Sequence, residues 1–351
     1  MTTRRLRDEP STFQRWLADL PPGSFAIVMA TGITADAAFQ QRLGWLAQAF
    51  FWTAGGLYVA LWILFLLRAT RYGTRFLRDL TTLPRAPSCL TTVAGTNLLG
   101  ASFVVIVGWR GVGFALWVFG IILWNVIFYT VLAAVTIRDP KPDLAGGVSG
   151  EWLMLVVATE SVAVLGTLLA ASSSRPAELL FAALAMCMAG LFIYIVIITL
   201  ICYRWWFWRM TVGEATPPYW INMGALAITT LACAEIDACM KFVPPLAPLG
   251  PFFRGMTVLT WAGASWWIPL LVVIGVWRHL LRRAPLRYDP HYWSLVFPLG
   301  MYGVATHRMA VALDLDFLDW IPRVFLGIAL LAWALTLVGM VRSGGGRRVE
   351  Q

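Results

Sequence analysis

Apolar runs long enough to cross a bilayer recur along the whole chain, and they constrain the fold more than any other feature. Residues 47–67 and 113–137 are two of them, and about 20 residues of helix, at roughly 1.5 Å per residue, match a hydrocarbon core about 30 Å thick. With 59% hydrophobic and only 13% charged residues among 351, the chain lacks the polar surface that a water-soluble globule needs. Disorder, collagen and coiled coil are excluded by the same composition. The expected fold class is an all-α integral membrane protein.

Charge, Pro and Gly divide the runs into ten candidate spans, at 24–41, 44–68, 88–108, 113–137, 151–171, 178–203, 218–240, 255–278, 291–313 and 321–341. The domain layout is then residues 1–22 as a cytoplasmic N-terminal segment, 23–343 as a single transmembrane domain and 344–351 as a cytoplasmic tail. The first segment has no apolar core of the signal-peptide kind. Its Phe13, Trp16, Leu17 and Leu20 recur at helical spacing, with Arg15 and Asp19 between them, which suits a short helix on the membrane surface or a solvated tail. Of the 27 Lys and Arg, 20 lie in the two tails and the loops after even-numbered spans. Basic residues are retained on the cytoplasmic side, so both termini are expected there. That placement also accounts for the net charge of +9 without a nucleic-acid partner. Trp152, Trp205, Trp206, Trp208, Trp220, Trp293 and Trp320 fall near span ends, as interfacial aromatics do.

The odd spans begin at intervals of roughly 63 to 73 residues, so helical hairpins repeat five times. Composition alternates with the same period. Odd spans carry small and polar runs: Ala30-Thr31-Gly32-Ile33-Thr34-Ala35-Asp36, Ala94-Gly95-Thr96-Asn97, Ala158-Thr159-Glu160-Ser161, Asn222-Met223-Gly224-Ala225 and Gly300-Met301-Tyr302-Gly303. Even spans are more uniformly apolar, as in Leu61-Trp62-Ile63-Leu64-Phe65. Lipid penalises unpartnered polar groups, so the odd spans are expected to form an inner ring around an axis, wrapped by the even ones. Two readings of the small residues stand side by side: they line a passage, or they let helices pack closely.

With this pattern the chain resembles the family of tellurite-resistance proteins, four-carbon dicarboxylate (malate) transporters and plant slow-type anion channels. The resemblance rests on Phe25-Ala26-Ile27-Val28-Met29-Ala30-Thr31-Gly32, on Val157-Ala158-Thr159-Glu160-Ser161, and most specifically on Tyr292-Trp293-Ser294-Leu295-Val296-Phe297-Pro298-Leu299-Gly300-Met301-Tyr302. It implies five quasi-repeated hairpins around a central anion pathway, trimeric assembly, and a bacterial inner-membrane setting. It also implies small anions, malate-like dicarboxylates or oxyanions such as tellurite and sulfite as permeants. The phenylalanine that occludes the pore in that family matches Phe297. An apolar ring in a narrow passage excludes water, and an anion cannot shed hydration without replacement donors. Pro298 lacks a backbone N–H and disturbs the turn before it, which would aim the ring.

The other expected pore-lining or path residues are Thr31, Gly32, Asn97, Thr159, Glu160, Asn222 and Gly300. Glu160 lies near mid-membrane and strains a simple anion-channel reading. It is a protonatable coupling site of a proton-linked dicarboxylate carrier, a carboxyl paired with another helix, or a polar residue beside the path. Arg308 is expected to attract anions or to pair with Glu235, Asp237 or an acid of the Asp314, Asp316 and Asp319 loop, and His307 beside it to be hydrogen-bonded or proton-sensing. An enzyme is not expected: His279, His291 and His307 form no metal-ligand pattern, and there is no Walker sequence or nucleophile elbow. No cofactor, metal or catalytic residue is assigned. Cys89, Cys187, Cys202, Cys233 and Cys239 form no CxxC pair and are given no role.

Overall fold

The computed structural model describes residues 11–83, 85–141 and 144–346, without the side chains of 144, 145 and 344–346. Expectations for residues 1–10 and 347–351 lie outside these. The helices are α1 (Thr12–Ala18), α2 (Ala26–Gln40), α3 (Gly44–Arg71), α4 (Gly73–Thr81), α5 (Thr91–Ser102), α6 (Arg110–Ile137), α7 (Leu144–Gly147), α8 (Met154–Ala170), α9 (Pro176–Phe207), α10 (Ile221–Met240), α11 (Gly250–Val276), α12 (Trp293–Leu313) and α13 (Trp320–Gly346). The protein is all-α and built to sit in a membrane. Among the described residues nine helices are long and apolar enough to cross one. The tenth expected span is α12, whose 21 residues reach roughly 31 Å. Its Tyr302, Thr306, His307 and Arg308 make it more polar than the rest, and it is enclosed by α2, α10 and α13.

The alternation read from composition is the architecture. Helices α2, α5, α8, α10 and α12 each pack on the next, and α12 packs back on α2, so five helices close a ring. Each is followed by its hairpin partner on the outside: α3, α6, α9, α11 and α13. In the apolar windows of the first four inner helices 72–94% of residues are buried, against 11–28% in the outer ones. Large side chains of the outer helices, such as Phe192 and Leu259, face outward, where lipid leaves an apolar side chain at no disadvantage.

Every inner helix starts the same way. A 3₁₀ turn precedes each: Pro22–Phe25, Ala86–Leu90, Gly150–Leu153, Pro217–Trp220 and Pro290–Tyr292. Four of the five carry Pro at a first-turn position, where its missing N–H costs nothing and its fixed φ starts the helix. These five turns also touch in cyclic order and rim one end of the bundle, here termed the N-terminal mouth.

Polar side chains bind the two rings together. The outer-helix indoles of Trp333 and Trp124 donate to the hydroxyls of Thr31 (3.0 Å) and Thr159 (2.8 Å), and Tyr58 shares a hydrogen bond with Thr96 (3.0 Å). All three threonines stand nine residues after the first residue of their register, at Pro22, Pro87 and Gly150, and each bonds the outer helix of the preceding hairpin. At the bundle end near the turns, Arg68 is buried, donates to Asp79 at 2.6 Å and to the Ala18 carbonyl, and so ties α1 and α4 to α3. In α1 itself, Leu17 is buried while Phe13 and Trp16 are about half exposed, and a capping box from Ser11 and Gln14 starts the helix. Of the tryptophans expected at the interface, Trp206 and Trp320 are exposed, whereas Trp152 and Trp293 are buried in the rim.

Candidate functional site: an axial cavity and the two ends of the ring

A common register makes the axis legible. Counting from Pro22, Pro87, Gly150, Pro217 and Pro290, the residues fourteen positions on are Asp36, Ala101, Val164, Leu231 and Val304. Eighteen positions on are Gln40, Val105, Leu168, Glu235 and Arg308. All ten line one cavity of about 530 Å³ at the end of the ring opposite the turns. Two complete rungs, one residue from each inner helix, therefore surround an on-axis vestibule. Positions four apart share a helix face, as do positions seven apart.

The vestibule holds mixed charge. Arg308 donates through Nε and Nη2 to the two carboxylate oxygens of Glu235, a bidentate pair between neighbouring helices of the same rung. Of the partners expected for Arg308, the structure selects Glu235; Asp237 instead accepts from Arg254 at 3.0 Å. His307 and Arg42 also line the cavity, and Arg42 has no acidic partner among the described residues. Arg42 closes α2 with a positive φ of 60°. Asp36 presents a buried carboxylate oxygen that has no hydrogen-bond partner among the described residues.

Below the vestibule lies a buried layer. Seven positions into the register, two turns before the first rung and on the same face, lie Met29, Ala94, Val157, Gly224 and Phe297. All five are buried, Phe297 to 1% exposure. Phe297 is the one aromatic ring of this layer. Its neighbour Pro298 lies directly against Gly224 of α10, where an added Cβ would come within 2.8 Å of the proline ring. The bare backbone of Gly224 thus lets α12 approach closely enough to hold the kink-prone residue in place.

Several of the residues expected along the path make their polar contacts at seams between helices. Thr31 and Thr159 are turned to the outer helices α13 and α6. Asn97 leans over Gly120 of α6 and donates to Ser161 Oγ at 3.3 Å. Glu160 leans over Gly190 of α9, accepts from Thr229 Oγ1 at 3.0 Å, and has the Cys187 thiol beside it. By helix count Asn222 lies half a turn from the face that bears the rungs; its backbone carbonyl accepts from the Tyr194 hydroxyl at 3.4 Å, and its buried side-chain amide has no hydrogen-bond partner among the described residues. Gly300 packs on Ile33 of α2, and Gly32 has open space where a side chain would be. The physical reason is that a polar side chain escapes lipid equally well at the axis or at a helix–helix seam. Conversely, Asp36, Gln40 and Arg42 line the cavity without having been singled out; counting from the leading turns finds the first two.

At the N-terminal mouth a second polar group sits in the rim. Glu151 Oε1 lies 2.8 Å from His291 Nε2, and Glu151 Oε2 accepts from Ser88 Oγ at 2.8 Å. His291 Nδ1 is 2.5 Å from Asp289 Oδ1. Hydrogen bonds to Asp289 and then to Glu151 push the His291 imidazole up to about 10, so it is a cation at neutral pH, and the same Asp289–His291 bond holds the Asp289 carboxyl below its usual range.

Comparison with known proteins agrees with this geometry. A family model described as "Voltage-dependent anion channel" matches residues 19–341. The chain belongs to that family. A protein of Methanocaldococcus jannaschii named as an uncharacterized transporter is 21% identical over 333 residues, covering 93% of this chain and 95% of its own. A protein of Mycobacterium tuberculosis named as an uncharacterized membrane protein is 38% identical over 151 residues, 43% of this chain and 76% of its own. Family membership makes this a channel or transporter of anions rather than an enzyme.

Proposed function

We propose that this family member moves small anions along the axis of its inner ring, and that Phe297 is the closure. The observation that carries the reading is the pair of complete five-residue rungs around the vestibule, with the only ring of the next layer down directly beneath them. An anion in the vestibule meets water, Arg42, His307, the Asp36 carboxyl and the Arg308–Glu235 pair; at the Phe297 layer it meets apolar side chains and no side-chain donors. Passage there requires dehydration without replacement, which an apolar constriction resists. Five helix N-termini converge at the opposite mouth, and their partial positive charges favour an anion approaching from that side.

The permeants proposed are chloride- or nitrate-sized anions, four-carbon dicarboxylates and oxyanions of the tellurite or sulfite type. A vestibule of about 530 Å³ admits all of them with water. The basic residues of the tails and even-span loops support a cytoplasmic N-terminal mouth in a bacterial inner membrane, and the family resemblance supports a trimer. Flux into proteoliposomes under an imposed gradient of each anion tests the reading, with Phe297→Ala as the opened form. Crosslinking in native membranes tests the trimer. The carrier alternative has one observation of its own, the Glu160 carboxyl buried among Thr229, Cys187 and Gly190, from where it would act on helix packing. Loss of pH dependence in Glu160→Gln would favour it.

A further inference from the structure

The five leading turns contact one another in cyclic order, so the turn bearing Glu151 has as ring neighbours those bearing Ser88 and Pro218. The turn bearing His291 is not one of them. A contact between non-neighbouring members of a five-membered ring must cross its opening. Glu151 Oε1 and His291 Nε2, 2.8 Å apart, make that contact. The crossing is anchored at both ends: Ser88 holds the other Glu151 oxygen at 2.8 Å, and Asp289 holds the other imidazole nitrogen at 2.5 Å. One position into the register the turns read Gly23, Ser88, Glu151, Pro218 and His291, so Glu151 and His291 are the two ionisable residues of that rung. Glu151 is 13% and His291 47% exposed in their side chains, as expected for a pair with one side toward water.

We infer that Glu151 and His291 form a charged bar across the N-terminal mouth, a second closure in series with Phe297 that also filters permeants by charge. This rests on the reading of the axis as the conduction path. The bar and its anchor carry two carboxylates, Glu151 and Asp289, against one imidazolium, and the Arg278 guanidinium acts on Asp289 from beside it. Neutralising Glu151 unlatches the bar and leaves Asp289 and His291 balanced, so an anion meets no net repulsion. Neutralising His291 also unlatches it but leaves the Glu151 carboxylate uncompensated at the opening, with Asp289 offset by Arg278, which repels anions and admits cations. A bond that merely ties the turns together has no such dependence on the sign of the probe.

Ser294 supplies the reporter, because it lies on α12 one turn beyond the bar toward Phe297, on the same face, and is half-buried. In Ser294→Cys protein, thiol modification is timed with an anionic (sulfonate) and a cationic (quaternary ammonium) methanethiosulfonate reagent, against parent protein carrying only the native cysteines. The expected result is at least a tenfold faster reaction with the anionic reagent in Glu151→Gln, and faster reaction with the cationic reagent alone in His291→Gln. The exchange Glu151→His with His291→Glu restores the slow wild-type rate. Equal rates in all variants, or acceleration that ignores reagent charge, overturn the inference. Anion flux gives the serial arm: Glu151→Gln is expected to change little alone and to add severalfold on top of Phe297→Ala. If Phe297→Ala itself leaves flux unchanged, the conduction reading fails while the labelling result still decides the bar.

Discussion

Replacing Phe297 with alanine tests the axis most directly, and the size of the effect follows from what surrounds the ring. Its layer contains Met29, Ala94, Val157 and Gly224. Ala94 and Gly224 have nothing to swing into the vacated space, and Gly224 is pinned against Pro298. The opening therefore persists and joins the vestibule, whose first rung is seven residues or about 10 Å away along α12. Stripping water from an ion in an apolar setting costs several kcal/mol even after relaxation. If water in the new gap returns about 3 kcal/mol of this, flux rises about a hundredfold, at roughly 1.4 kcal/mol per decade. Phe297→Leu keeps most of the side-chain bulk and should give a far smaller rise. The assay is anion efflux from proteoliposomes, normalised to monodisperse protein, since a buried Phe→Ala change costs up to about 3–5 kcal/mol of stability. Wild-type flux from correctly folded Phe297→Ala protein would refute the placement of this ring on the path.

Other outcomes follow from the same geometry. Gly190→Ala brings a Cβ to within 2.5 Å of Glu160 Oε1 and should lower stability by about 1–3 kcal/mol, whereas Gly55→Ala, with nothing within 4 Å, should not; thermal unfolding in detergent compares them. Glu235→Gln removes the charge that balances Arg308 in the vestibule, and should raise apparent anion affinity in a flux titration by severalfold at low salt and less at high salt. The His291 imidazole is raised from 6.5 to about 10 by Asp289 and Glu151, so its contribution to stability is complete below pH 6.5 and is lost as pH rises through about 10. The difference in Tm between wild type and His291→Gln should accordingly shrink over that window, and a constant difference would remove the ion pair from the account.

The all-α membrane fold and the alternation of inner and outer helices were legible because they depend on lipid, which acts on whole segments. The expected span 151–171, for example, is met by a helix window running Gly150–Ala170. The lining was harder. Thr31, Thr159, Asn97 and Glu160 are polar and inside, yet they serve the seam between the rings, because composition separates lipid-facing from lipid-shielded positions and cannot separate two shielded faces of one helix. Register could have done so. Pro22, Pro87, Pro217 and Pro290 mark equivalent starts, and a residue's distance from its proline specifies its face. By that count Phe297 shares the face of the vestibule rungs and Asn222 lies half a turn away from it. The Glu151–His291 contact was beyond reach of any such count, since it joins residues 140 apart whose turns are not ring neighbours.

A ring assembled from five unlike helices of one polypeptide, if it conducts as proposed, differs from one made of five identical subunits in what a single codon change can do. In the symmetric case every substitution arrives in quintuplicate, so charge at a given depth moves in steps of five and an aromatic either crowds the lumen from all sides or is absent. Here one arginine, one glutamate or one benzyl group can be tried at each depth alone, and selectivity can be tuned in unit increments.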